Sequence, residues 1–146
     1  MLKKRNGNEN MIISDSINSE YSKFTIGRIA SGTNELAGSR LIIYFGCSTG
    51  NDCYASNGSP HNLVDETFEK GAHCVIGLSK NVGQDSAFRW MEEFLFGVLG
   101  GESIRGAVAY ANNRCQQYGG IFIEGQTEND STMPLYIVGD KYQYLN

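Results

Sequence analysis

The chain has no continuous apolar run near the roughly 18 residues needed to cross a bilayer as a helix, and no apolar stretch behind its N-terminal Lys3, Lys4 and Arg5, where Gly7, Asn8, Glu9 and Asn10 follow instead. An export signal would need about 7 to 15 apolar residues there, so the expectation is a soluble, unexported, cytoplasmic chain with no membrane partner. Clustered basic residues are confined to that same tripeptide, and with a net charge of −4 nothing reads as a surface for nucleic acid. No G-x-G-x-x-G or G-x-x-x-x-G-K loop is present, which leaves no phosphate cradle. The four cysteines (Cys47, Cys53, Cys74, Cys115) and two histidines (His61, His73) lack ligand spacing, so neither a metal nor any other cofactor is expected. The cysteines also lack C-x-x-C spacing, and a chain this long folds without staples, so they read as thiols of a reducing compartment.

What is there is one domain's length, 146 residues, with an apolar share of 40% and an unusual 18 glycines. Much of that glycine falls where helices and strands end, as tight turns require. Residues 1–35 are rich in Asn, Ser and Gly with only short apolar runs, Met11–Ile13 and Phe24–Ile29, and read as a poorly defined lead-in. From residue 36 the pattern sharpens. Leu41, Ile42, Ile43, Tyr44 and Phe45 form an apolar, β-branched run of strand length, expected to be buried on both faces. It ends at Gly46 and Cys47, and a small-residue loop follows to Gly58. Ser59 and Pro60 supply an N-cap and a first-turn proline for a helix with Leu63, Val64, Thr67 and Phe68 on one face, stopping at Gly71. His73 to Leu78 is a second apolar strand, giving the strand–helix–strand order of a parallel βαβ unit. Asp85 can cap a further helix with Phe88, Met91, Phe94, Leu95, Val98 and Leu99 inward, ended by Gly100 and Gly101. Ser103 can cap another, with Ile104, Ala107, Val108 and Ala111 inward. Short β-like runs, Ile121–Ile123 and Leu135–Val138, close the chain.

The order Leu41-Ile-Ile-Tyr-Phe-Gly-Cys47-Ser-Thr-Gly50, Asn62-Leu-Val-Asp65, Lys70-Gly-Ala-His-Cys-Val-Ile-Gly77, then the helix to Gly100-Gly101 and Ser103-Ile-Arg-Gly-Ala-Val-Ala-Tyr-Ala111, resembles the caspase-like clan of cysteine peptidases, in particular its CHAT-domain and gingipain-like members. The likeness covers about half the chain, residues of about 36 to 112. It implies an α/β fold, a caspase-like three-layer sandwich with a mainly parallel sheet, of which residues 36–146 would be the C-terminal part and which would be incomplete on its N-terminal side. It further implies that Cys47 is the nucleophile of a cysteine endopeptidase, standing at the C-terminal end of its strand, where open α/β sheets present ligands, with backbone N–H groups at hand for an oxyanion.

Family members carry a catalytic histidine upstream of the cysteine, and here none precedes Cys47. His73 would begin the second parallel strand, at the opposite sheet edge from Cys47, and reads as structural. His61 would share the rim of Cys47 but stands near a helix N-terminus, which disfavours imidazolium. In several relatives an acidic side chain selects a basic residue on the N-terminal side of the cut, and Asp52 and Asp85 occupy the two loops that would flank such a pocket, Asp85 doubling as an N-cap. Where many relatives have tryptophan this chain has Lys80. The expected partner is a polypeptide substrate or a protein, including a missing N-terminal half of the domain that would bring the histidine; alone, the chain is expected to be inactive. The competing reading is a non-catalytic, caspase-like binding module, marked by residues 11–30 completing the sheet and by a covered Cys47. A flavodoxin-like small-molecule domain ranks third.

Overall fold

The computed structural model describes residues 2–5, 8–14, 21–25, 36–51, 53, 54 and 60–146, with backbone alone for 2–25, 53, 54, 60 and 61. It is mixed α/β, with three helices among the described residues. The chain divides into two compact units, one reaching to Ser79 and including Tyr136–Gly139, the other made of Lys80–Leu135 and Asp140–Asn146.

In the first unit, β1 (Leu2–Arg5), β2 (Asn8–Ser14) and β3 (Tyr21–Thr25) pair antiparallel in sequence order, with Leu2 opposite Met11 and Met11 opposite Phe24. They form a sheet of their own. The second sheet runs in the order β4 (Ile42–Ile43), β7 (Cys74–Leu78), β8 (Leu135–Gly139). Ile42 lies opposite Val75 and Ile43 opposite Ile76 in a parallel ladder, as the strand–helix–strand order requires, because parallel neighbours need a crossover between them. Including β8 the sheet is mixed.

β7 is the central strand and all five of its residues are buried, whereas residues 41–46 are only half-buried. The expectation that the Leu41–Phe45 strand is buried on both faces therefore fails for β4, and the strand that is buried throughout is β7. The reason is position: β4 is an outer strand, and its far edge carries no partner strand among the described residues.

The crossover helix α1 spans Leu63–Glu69. It begins later than Ser59 and Pro60 suggest. Pro60–His61 is a short strand, β6, paired antiparallel with β5 (Cys53–Tyr54); proline is tolerated as the first residue of a strand. The cap is Asn62, whose Oδ1 accepts the Asp65 N–H at 2.9 Å. Leu63, Val64 and Thr67 are buried against the sheet, while Phe68 is partly exposed. Gly71, at φ +100°, ends the turn in the left-handed region that favours glycine. Val64, Ala72 and Val75 form the centre of this unit's core, with Leu36, Ile42, Tyr44, Tyr136 and Val138 packed around them.

The second unit is built on α2 (Gln84–Leu99) and α3 (Ile104–Gln117). Ser103 caps α3 as its sequence suggests, its Oγ accepting the Gly106 N–H at 3.1 Å. α2 starts from Gly83 with no side-chain cap, so Asp85 is not the N-cap. It lies inside the first turn, where its charge suits the helix's positive end.

The buried stripe of α2 is Trp90, Glu93, Phe94, Gly97 and Val98, not the six residues the apolar periodicity selects; Phe88, Leu95 and Leu99 are exposed. Gly97 decides the face, because a Cβ there would stand 2.9 Å from the Ala107 Cα, so the two helix backbones meet at this glycine. Trp90 stacks on Phe94 with centroids 5.2 Å apart and donates its Nε1–H to Asn112 Oδ1 at 2.9 Å. The same oxygen accepts the Met133 N–H at 3.1 Å, fastening the segment after Asp130 to α3.

Gly77 in β7 makes a sharp steric demand at the Cys47 loop. A Cβ there would stand 2.5 Å from Val64 Cγ2, 2.9 Å from Thr49 Oγ1 and 3.1 Å from the Gly50 nitrogen. We expect Gly77→Ala to destabilise the chain by about 1–3 kcal/mol, the range of overpacked cores, read as a lowered urea midpoint. Gly38→Ala, at a site with nothing within 4 Å, should leave the midpoint within about 0.5 kcal/mol.

Candidate functional site at the Cys47 rim

The parallel ladder does not stop at Ile43. Tyr44 N–H donates to the Ile76 carbonyl at 2.8 Å, and the next contact to β7 skips to Gly50, whose N–H donates to the Leu78 carbonyl at 2.9 Å. Residues 45–49 are thereby thrown out as a loop whose two feet both stand on β7. Inside it Thr49 N–H donates to the Gly46 carbonyl at 3.3 Å and Asn51 N–H to the Ser48 carbonyl at 3.2 Å, two overlapping turns.

The Thr49 side chain, 1% exposed, fixes this loop from within. Its hydroxyl proton is shared between the carbonyls of Tyr44, at 3.0 Å, and Gly46, at 2.9 Å, and its oxygen accepts the Leu78 N–H at 2.9 Å. One hydroxyl thus links the end of β4, the turn and the end of β7. Ser48 is the only non-glycine residue with positive φ, +61°, among those described. That conformation costs an ordinary residue roughly 1–3 kcal/mol and persists only where the surroundings enforce it.

Cys47 is exposed at the tip of this loop, at the C-terminal end of β4. Cys74 and Cys115 are buried thiols, and burial pushes the Cys115 thiol up from its ordinary value. The N–H groups of Thr49, Gly50 and Asn51 are all engaged by carbonyls. The expectation that the glycine-containing stretch after the cysteine supplies oxyanion donors therefore fails for these three.

A polar network braces the rim from behind. Asn62, 1% exposed, donates from Nδ2 to Asp65 Oδ2 at 2.8 Å, while Asp65 Oδ1 accepts the Tyr136 hydroxyl at 2.9 Å. The Tyr136 side chain lies on Gly50, where a Cβ would stand 2.6 Å from the Tyr136 Cβ. Beside this, Thr67 Oγ1 donates to the Leu63 carbonyl at 2.7 Å, so its single proton is committed and Tyr44 donates to it across 2.7 Å. Burial pushes the Tyr44 phenol up from its ordinary value.

The sequence-derived candidates separate in the structure. His73 is exposed just before β7, at the end of the parallel ladder opposite to Cys47. The backbone of His61 pairs with Cys53 in the β5–β6 ladder; its side chain and Asp52 lie outside the described residues. Asp85 is exposed and belongs to the second unit. No group of three His, Cys, Asp or Glu side chains that could hold a metal occurs among the described residues. Sequence reasoning passed over Thr49, Tyr136 and Asp65 as site-shaping residues. Thr49 carried a signal, a threonine between the cysteine and a glycine. Tyr136 carried none, since its partners lie some seventy residues away.

Thr49→Val keeps the shape and removes the hydroxyl, stranding the Leu78 N–H. A cost of about 1–3 kcal/mol is expected, with Thr49→Ser recovering most of it, read by denaturant unfolding together with faster amide exchange at Leu78. For Tyr44 the native state holds the phenol proton more tightly than the unfolded chain does. Its contribution is thus complete below the ordinary phenol value of about 10 and is lost as pH rises through the raised native value. Urea midpoints from about pH 8 to 11 should fall less steeply in Tyr44→Phe than in the parent.

No protein-family model, curated protein or solved structure matches this chain.

Proposed function

We propose that this chain is the C-terminal portion of a CHAT- or gingipain-like cysteine endopeptidase, a caspase-like three-layer sandwich in which Cys47 is the nucleophile and the general base is a histidine brought by another polypeptide segment. The observation that carries this reading is an exposed thiol held by a braced loop at the C-terminal end of a parallel strand, where α/β sheets place their reacting groups. Two further observations favour it over a closed, non-catalytic module. Among the described residues, strands β1–β3 pair among themselves and do not extend the β4–β7–β8 sheet, and Cys47 is exposed.

In the proposed reaction the Cys47 thiol gives its proton to the base, and the thiolate sulfur attacks the scissile carbonyl carbon. The C–N bond breaks as the base returns the proton to the departing amine, leaving a thioester on Cys47. Water then attacks the thioester carbon, delivers a proton through the same base to the sulfur, and releases the acid. With the N–H groups of Thr49, Gly50 and Asn51 engaged, the oxyanion is stabilised by donors outside that stretch. His73 stands at the wrong end of the ladder for the base, and this favours the second reading, a caspase-like module that binds protein without cutting it.

The test is the rate of iodoacetamide alkylation across pH, with Cys47→Ala subtracting the other thiols; buried Cys74 and Cys115 should contribute little. Alone, we expect Cys47 to be alkylated slowly at pH 7. Adding the polypeptide encoded immediately upstream should raise that rate about tenfold, as a histidine partner that favours the thiolate does. A rate that is the same in both states speaks for the binding module. A rate already high in the isolated chain and lowered by His61→Ala would assign the base to His61.

A further inference from the structure

α2 presents two apolar faces, and the α2–α3 contact uses only one. Trp90, Phe94, Gly97 and Val98 turn inward, yet Phe88, Leu95 and Leu99 are 63%, 50% and 71% exposed. They recur at steps of seven and four residues, with Met91 half-buried between the first two, so they line one side of the helix over about three turns. Phe96, 57% exposed, flanks them. Contiguous exposed apolar patches of this kind mark interaction surfaces.

The charges beside the stripe are of one sign. Asp85 and Glu92 are exposed at positions adjoining it. Arg89, the one basic residue of α2, is turned away: its Nη1 donates to the Tyr118 carbonyl at 3.3 Å and its guanidinium lies 5.4 Å over the Tyr118 ring. A second copy of the chain fits this surface poorly. Antiparallel pairing about a two-fold axis at the stripe's centre would set Glu92 against Glu92, in a chain that already carries a net charge of −4.

The geometry points to a different occupant: the Phe88–Leu95–Leu99 face of α2 docks an amphipathic helix from another protein, apolar at i, i+3/i+4 and i+7 and flanked by lysine or arginine that meet Asp85 and Glu92. Helix-on-helix docking of this kind reads apolar anchors for affinity and flanking charge for orientation and choice of partner.

The probe is a fluorescein-labelled leucine/lysine amphipathic peptide of about 18 residues, titrated against the full chain by fluorescence anisotropy, beside its leucine/glutamate counterpart. We expect the lysine peptide to bind at least ten times more tightly than the glutamate peptide. Leu95→Asp, on an exposed side chain, should weaken binding at least tenfold with the circular dichroism of the chain unchanged. Glu92→Lys, which leaves the stripe intact, should weaken it several-fold and flatten its salt dependence, and Tyr142→Ser, elsewhere on the surface, should leave binding as it was. Equal binding of the two peptides, no binding of either, or an affinity untouched by Leu95→Asp would overturn the assignment. So would self-association in sedimentation that Leu95→Asp abolishes, which would give the face to a second copy.

Discussion

The geometry around Cys47 depends on one buried hydroxyl. A strand that ends in a loop must surrender ladder hydrogen bonds, and β7, buried along its length, cannot take water in exchange. Thr49 and Gly50 resolve this by presenting a hydroxyl oxygen and an N–H to the two backbone groups of Leu78, in the place where the next residues of β4 would have stood. Because the same hydroxyl proton is shared between the carbonyls of Tyr44 and Gly46, the loop cannot swing on either foot without breaking a buried bond. The extra residues must go outward. Cys47 is at the apex for that reason, and the left-handed Ser48 beside it is held in place by bonds on both sides.

Glycine and side-chain length fix the remaining dimensions. Gly77 lets the loop lie on the strand, Gly50 lets it lie against Tyr136, and the Tyr136 hydroxyl reaches Asp65 at the start of α1. Asp65 serves Asn62 as well, so the cap of the helix and the foot of the loop share one carboxylate. These are charge-assisted or buried bonds, each worth more than an exposed pair, and they couple sites far apart in sequence. The second unit is organised differently. Its helices meet through the bare backbone at Gly97, and one asparagine, Asn112, satisfies both the indole of Trp90 and the chain at Met133.

Legibility in the sequence followed the range of the interactions. The Ser103 cap and the Gly71 stop are set by neighbours within a few residues, and the parallel β4–α1–β7 unit by the order of three consecutive elements, so the sequence shows them. The start of α1 was misread because Ser59 and Pro60 are good local candidates, while the pairing of Pro60–His61 with Cys53–Tyr54 is a tertiary fact that overrides them. The facing of α2 was misread for a related reason. Apolar periodicity identifies an amphipathic helix but not which of two apolar faces is buried, and the deciding residue was a glycine, which no hydrophobic count registers. The candidate thiol was visible as a strand-end cysteine. Of the residues that brace it, Thr49 carried a local signal and Tyr136 none, because Tyr136 meets Asp65 across a separation of 71 residues.

The brace also limits what chemistry the rim can do without help. Thiols as a class are weak nucleophiles until they are deprotonated. Backbone rigidity does nothing to change that; only a nearby positive charge or hydrogen-bond donor does. Positioning is therefore already built into residues 44–50, while activation is not visible in them, since Thr49, Gly50 and Asn51 have spent their N–H groups on the fold. Holding a reacting group still has value only when a partner arrives in register with it, because pre-organisation saves entropy solely in the assembled state. Residues 44–50 meet that condition on one side only: Thr49 holds the loop that carries Cys47, and under the proposed peptidase reading the group that meets the thiol would set whether any bond is made.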